Sequence, residues 1–218
     1  MTKRERIRIL KAFLDKEFPE THCFLHHNKE YELLIAVLLS AQARDEVVNS
    51  VTPVLFSKYP SLEELMNARY EDVLKIIKPV GLGPAKARNI ISLATDLVTK
   101  FNGEVPTSRE DLTSLSGVGE KTASVVRGEL FNKKQIPCDT HVKRVAYRLK
   151  LASKTDDPSK IEAMFLKNFE GDDHINFHRQ MILFGRNICI ANNKRRCEVC
   201  PLDCRERLRE YESKNDNE

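Results

Sequence analysis

Three sets of residues in this 218-residue chain have the types and spacing to do chemistry. The first is Lys121, which closes a two-glycine turn in Leu115-Ser116-Gly117-Val118-Gly119-Glu120-Lys121-Thr122-Ala123. A free lysine amine has a pKa of about 10.4, so only roughly one in 2,500 is neutral at pH 7. A helix N-terminus and partial desolvation both disfavour the ammonium form. Lys121, in the first turn after the glycines, is placed to feel both. A neutral amine can attack the anomeric carbon of a sugar and form a Schiff base. The plainer role for such a lysine is a phosphate contact or a solvated surface charge. The second set centres on Asp139 in Cys138-Asp139-Thr140-His141. Its residue type suits a helix N-cap. A carboxylate there stays ionised, and it could stabilise oxocarbenium-like charge or relay a proton from Lys121.

The third set is Cys189, Cys197, Cys200 and Cys204, four of the chain's six cysteines. A disulfide framework is normally spread along a chain, and such tight clustering favours a metal. Zinc held by four thiolates and an iron–sulfur cluster are both open. Lys194, Arg195 and Arg196 fill the first cysteine loop and could contact phosphates. Cys23 and Cys138 are left without a role.

The turn itself reads as the middle of a helix-hairpin-helix. Gly117 and Gly119 allow positive φ and a close approach of a phosphate to the backbone. The helix that follows adds free amides and the positive end of its dipole. Val118 points inward and anchors the turn. Such a grip reads no base, so it is independent of sequence.

The surrounding composition restricts the class of protein. Hydrophobic residues make up 41% and charged residues 31%, with a net charge of +4. That is enough apolar matter for one large domain or two small ones. No apolar run can span a bilayer, and the basic start of the chain lacks the core of a secretory signal. A cytoplasmic, nucleoid-associated protein is the expectation. Basic residues concentrate at 86–100, 143–150 and 186–209, which predicts a DNA-facing surface.

The elements that must position these residues are helices. Gly and Pro are scarce, and strand-like alternation is nearly absent. Tyr31 to Ser40 is apolar nearly all round and predicts a buried central helix. A helix from Asp45 should be kinked or split at Pro53. Capping boxes are predicted at Ser61 and Thr107. Pro79-Val80-Gly81-Leu82-Gly83-Pro84 repeats the Gly-hydrophobic-Gly turn ahead of a helix over 84–101. Further helices are predicted over 120–131, 139–151, 158–169 and 174–190. The fold class is all-α.

These residues, in this order, resemble the endonuclease III family of helix-hairpin-helix DNA glycosylases. The resemblance runs from Leu33-Leu34-Ile35-Ala36-Val37-Leu38-Leu39-Ser40-Ala41-Gln42 through Val80-Gly81-Leu82, Gly103-Glu104-Val105-Pro106 and the hairpin to Asp139-Thr140-His141 and the terminal cysteines. It implies two helical lobes, 22–132 and a discontinuous 1–21 plus 133–218, the latter carrying a [4Fe–4S] cluster on the four cysteines. It also implies a monomeric enzyme that removes oxidised pyrimidines from double-stranded DNA and cleaves the abasic site by β-elimination. Lys121 and Asp139 match the catalytic positions. Gln42 and Leu82 match residues that enter the space left by the flipped nucleotide. The hairpin residues 117–119, His141 and the basic residues 194–196 are then candidate DNA contacts.

Two features depart from the family pattern. The first cysteine loop is one residue longer and the last two residues shorter, which keeps zinc as an alternative. Glu120 stands where a basic residue is usual, and an acid there should weaken phosphate attraction and favour the charged form of Lys121. Two other functions share many of these features: a monofunctional mismatch glycosylase, and a non-catalytic damage-binding protein. The first would replace Lys121 and place a Glu in the stretch from Leu39 to Arg44, where none occurs. The second would need neither Lys121 nor Asp139.

Overall fold

The computed structural model describes residues 1–192 and 195–204. They form helices α1 (Lys3–Glu17), α2 (Glu30–Ser40), α3 (Asp45–Lys58), α4 (Leu62–Met66), α5 (Tyr70–Ile77), α6 (Gly83–Phe101), α7 (Arg109–Ser114), α8 (Glu120–Phe131), α9 (Thr140–Arg148), α10 (Pro158–Asn168) and α11 (His174–Asn187). Short 3₁₀ turns cover Lys78–Val80 and Cys197–Val199, and the described residues contain no strand. None of their helices is long and apolar enough to cross a membrane. The chain divides into two compact units, one continuous over Cys23–Phe131 and one made of Met1–His22 with the chain from Asn132 on.

The continuous unit is built around α2. Every residue from Tyr31 to Leu39 is buried, which is why this helix carries no polar face. The one acidic residue within that buried run, Glu32, uses its carboxylate to accept from the Asn28 and Lys29 amides at 2.7 and 3.3 Å. The helix start is thereby capped from within. Helices α3, α6 and α8 pack against α2. Along α6 the residues Ala87, Ile90, Leu93, Ala94 and Leu97 turn inward, at the three- and four-residue spacing of an amphipathic helix. Each fully buried Leu or Ile here is worth about 1.5–3 kcal/mol relative to exposure.

Of the kink or split expected at Pro53, the split does not occur, since α3 runs unbroken past it. Pro53 and Val54 lie on the exposed face of the helix. The carbonyl that loses its partner there can turn to solvent instead of being stranded in the core. The cap predicted at Thr107 belongs to Ser108, whose hydroxyl accepts from the Asp111 amide at 3.0 Å. Ser61 caps α4 as predicted, accepting from the Glu64 amide.

In the discontinuous unit, α1 begins with a Thr2–Glu5 capping box and buries Ile7, Leu10 and Leu14. It packs against α10 and α11, and α11 packs on α9. Phe165, Phe169 and Phe177 fill the space between, with a stacked Phe169–Phe177 pair at 4.6 Å and a T-shaped Phe165–Phe177 pair at 5.8 Å. Helices α9, α10 and α11 end one to three residues before the sequence-based limits, because Arg148, Asn168 and Asn187 are the last residues in helical geometry.

Candidate functional site

The hairpin connects α7 to α8 within the continuous unit. Leu115 and Val118 are buried and fasten the turn, while Gly117 and Gly119 are exposed. The two glycines do different work. Gly117 sits at φ 78°, and a Cβ there would lie 2.6 Å from Nδ2 of Asn89 on α6. Gly119 has no positive φ, and a Cβ there would meet nothing within 4 Å. Both glycines allow positive φ, and of the two only Gly117 adopts it. The hairpin is also tied to α6 by a 2.7 Å hydrogen bond between the Ser116 and Ser92 hydroxyls. The first intrahelical bond of α8 runs from the Ala123 amide to the Gly119 carbonyl at 2.9 Å, so the amides just before it lack a helical partner.

These differences lead to a paired prediction. Gly117→Ala should cost about 2 kcal/mol of stability, from left-handed strain plus displacement of Asn89. Gly119→Ala should leave urea unfolding within about 0.5 kcal/mol. Both should weaken duplex binding, the second because a methyl group occupies the space where a phosphate approaches the amides.

Lys121 is the second residue of α8 and is exposed to solvent. The protein's own side chains do not bury it, so the desolvation half of the sequence argument is not met within the chain. The helix N-terminus remains. Glu120 has a basic partner in the preceding helix. Its Oε2 accepts from Nη1 of Arg109 at 2.7 Å. The acid that departs from the family pattern is thus paired with a base at the start of α7, eleven positions earlier.

Gln42 and Leu82 both lie exposed in loops of the same unit. Both are non-glycine residues with positive φ, 56° and 50°. Leu82 is 56% exposed, one of three large hydrophobic side chains so exposed among the described residues.

Asp139 belongs to the discontinuous unit. It is the N-cap of α9, and its Oδ1 accepts from the Val142 amide at 2.7 Å. Its cap role is therefore real, and one carboxylate oxygen is left for other work. His141, two positions on, is half-buried. Burial lowers its pKa, with Arg144 and Arg186 acting the same way and Asp139 opposing. Its Nδ1 lies 3.2 Å from Nη2 of Arg144. Gly185 on α11 allows this closeness, since a Cβ there would fall 2.9 Å from that of His141.

The cysteine loop is held from α9. Arg148 is fully buried and donates to the carbonyls of Cys189 (3.3 Å), Ile190 (2.6 Å) and Ala191 (3.2 Å), and to Sγ of Cys189 (3.5 Å). Arg144 donates to the Cys189 carbonyl at 3.2 Å and to that of Gly185 at 2.8 Å. The sequence reading had assigned the 143–150 cluster to a DNA-facing surface. Arg148 cannot serve there, and neither can Lys86 of the first cluster, which is 4% exposed. Charge clustering along a sequence carries no sign of burial, so neither role was visible beforehand. Arg195 donates to the Asn192 carbonyl at 3.3 Å, and Arg196 lies 3.9 Å from Glu198. Lys194 and the basic residues beyond 204 lie outside the described residues.

None of the four clustered cysteines is in a disulfide. Cys189 and Cys204 are buried, Cys200 is partly so and Cys197 is exposed. Burial, with the neighbouring cysteines adding to it, pushes the thiol of Cys200 up to about 11 and that of Cys204 up to about 12. Among the described residues no three His, Cys, Asp or Glu side chains are already gathered as a single-ion site. The donor set nonetheless fits a group that binds four thiolates. Cys189 and Cys204 are buried thiols, and buried thiols give up protons only to a strong positive centre.

The chain matches the family model described as HhH-GPD superfamily base excision DNA repair protein over residues 35–170. It is 41% identical to the endonuclease III of Haemophilus influenzae over 214 residues, covering 98% of this chain and 99% of the relative. A non-covalent endonuclease III–DNA complex is similar in fold, with TM-score 0.90, 40% identity and coverage of 97% of this chain and 100% of the other. A trapped endonuclease III–DNA covalent intermediate is similar too, with TM-score 0.89, 40% identity and the same coverage.

Proposed function

The chain belongs to the endonuclease III family of the HhH-GPD superfamily of base excision DNA repair proteins, and on that footing we infer that Lys121 and Asp139 carry its chemistry. The enzyme is a DNA glycosylase with abasic-site lyase activity. The observation that supports the assignment of Lys121 is its position, exposed in the first turn of α8 directly after the glycine hairpin. A phosphate held at the hairpin amides brings a neighbouring sugar within reach of that amine.

The reaction then follows from the groups present. After giving its ammonium proton to water, the Lys121 amine attacks C1′ of the damaged nucleotide as the C1′–N bond to the base breaks, and the departing base takes up a proton from water. The Asp139 carboxylate, held at its cap position, stabilises the positive charge that builds on the sugar. The sugar ring opens to a Schiff base between C1′ and Nζ. Loss of a proton from C2′ expels the 3′ phosphate and cleaves the strand, and water releases the lysine. Gln42 and Leu82 occupy the gap left by the extruded nucleotide, Leu82 as the apolar wedge. The substrate class is oxidised pyrimidines in duplex DNA, and the enzyme acts as a monomer.

Cys189, Cys197, Cys200 and Cys204 would hold a [4Fe–4S] cluster. Similarity to endonuclease III along nearly the whole chain favours iron–sulfur over zinc. Held there, such a cluster would supply structural support to the loop that carries Arg195 and Arg196, with no part in base removal. The holoprotein should be brown with a broad visible absorption, and Cys200→Ser should lose that colour. A colourless holoprotein containing zinc would exclude the iron–sulfur assignment.

A panel of duplexes, each with one lesion, tests the activity. Cleavage at oxidised pyrimidines and abasic sites is expected. Base release from mismatches alone, with the strand left intact, would mark a monofunctional glycosylase instead. Tight binding with no base release or cleavage at any lesion would mark a damage-binding protein.

A further inference from the structure

Lys86 is a charged residue in an apolar core. It stands on α6, is 4% exposed, and burial lowers its pKa. Taking an ammonium out of water is costly, and a methionine of similar length would fill the same space without that penalty. The charge must therefore be used. Its Nζ donates to three backbone carbonyls: Leu39 at 2.9 Å, Ala41 at 2.8 Å and Val80 at 3.1 Å. Three donors meet three acceptors, so the ammonium is fully satisfied. A neutral amine would leave one carbonyl facing a lone pair.

The three carbonyls share a feature. Leu39 and Ala41 end α2, where helix carbonyls lack partners and the dipole is negative. Val80 ends the 3₁₀ turn Lys78–Val80. One residue after Ala41 comes Gln42, and two after Val80 comes Leu82. Both hold a left-handed backbone, which is strained for a side-chain-bearing residue and persists only where the surroundings enforce it. The backbone amide of Lys86 adds a bond of 3.1 Å to the Leu82 carbonyl, closing the first turn of α6 onto the same loop. Further along α6, Asn89 backs Gly117 and Ser92 bonds Ser116. Residues of one helix thus meet all three exposed loops.

The geometry points to Lys86 as a positioning residue whose ammonium sets the spacing between the Gln42 and Leu82 loops, so that both side chains enter one gap in the DNA. Lys86 touches no substrate and acts through those two residues. This inference rests on the reading that Gln42 and Leu82 enter the DNA.

A mutant cycle in single-turnover excision tests it. Lys86→Met should slow excision about 100-fold, the scale of an ångström-level misplacement. In a Gln42→Ala/Leu82→Ala background the same substitution should cost less than about threefold, because the residues it positions are gone. A wild-type rate for Lys86→Met, or an equal loss in both backgrounds, overturns the inference. Failure of the underlying reading is seen separately, as an unchanged rate in Gln42→Ala/Leu82→Ala alone, and it would take this inference with it. Should Lys86→Met not fold, Lys86→Gln, which keeps two donors, is read by the same cycle. A smaller loss confined to the parent background supports the role, and an equal loss in both backgrounds overturns it.

Discussion

Lys121→Ala is expected to lower strand cleavage at abasic sites by about 10⁴-fold or more, the scale on which loss of a covalent nucleophile is felt. The substitution removes an exposed side chain from the second position of α8, and alanine is the best helix former. Stability should therefore change by less than about 0.5 kcal/mol. The hairpin amides and Gly117 are untouched, so affinity for an uncleavable abasic analogue should fall only by the share of one phosphate-directed charge. Cleavage and binding are thus expected to separate. If Lys121 were a phosphate contact and no more, both would fall together and modestly, and the salt dependence of binding would flatten by about one unit of slope.

Asp139→Asn should slow base excision by about 10²–10⁴-fold while leaving the fold intact. Asparagine is as good an N-cap as aspartate, and its side-chain oxygen can still accept from the Val142 amide now bound at 2.7 Å. The lost charge at the start of α9 costs less than about 1 kcal/mol. Asp139→Ala removes cap and charge together and should destabilise by about 1 kcal/mol as well. Were Asp139 only a cap, Asn would keep full activity and Ala would lose a little stability and nothing else. Single-turnover excision of an oxidised pyrimidine, run beside urea unfolding, separates these cases.

What the sequence made legible was local. The helix over 120–131, the cap at Ser61 and the buried run Tyr31–Leu39 follow from spacing and capping chemistry, and the structure places them there. Asp139 was readable as a cap because its partner lies three residues away. The misjudged features are set by distant partners. Lys86 meets carbonyls up to 47 positions away, and Arg148 meets the cysteine loop 41 or more positions on. In the sequence each is one more base in a basic stretch. The pairing of Glu120 is hidden for the same reason, since its partner Arg109 belongs to the preceding helix. Pro53 was misjudged because its effect depends on which face of α3 it occupies. The two hairpin glycines looked equivalent in type, and only the position of Asn89 behind Gly117 distinguishes them.

The central claim is that the Lys121 amine forms the Schiff base. Borohydride reduction during reaction with an abasic duplex, followed by proteolysis and mass spectrometry of the adduct, tests it directly. The predicted result is one covalent protein–DNA species, mapped to the peptide containing Lys121 and absent from Lys121→Ala. No adduct with the wild-type protein, or an adduct on another residue that survives in Lys121→Ala, would contradict the claim.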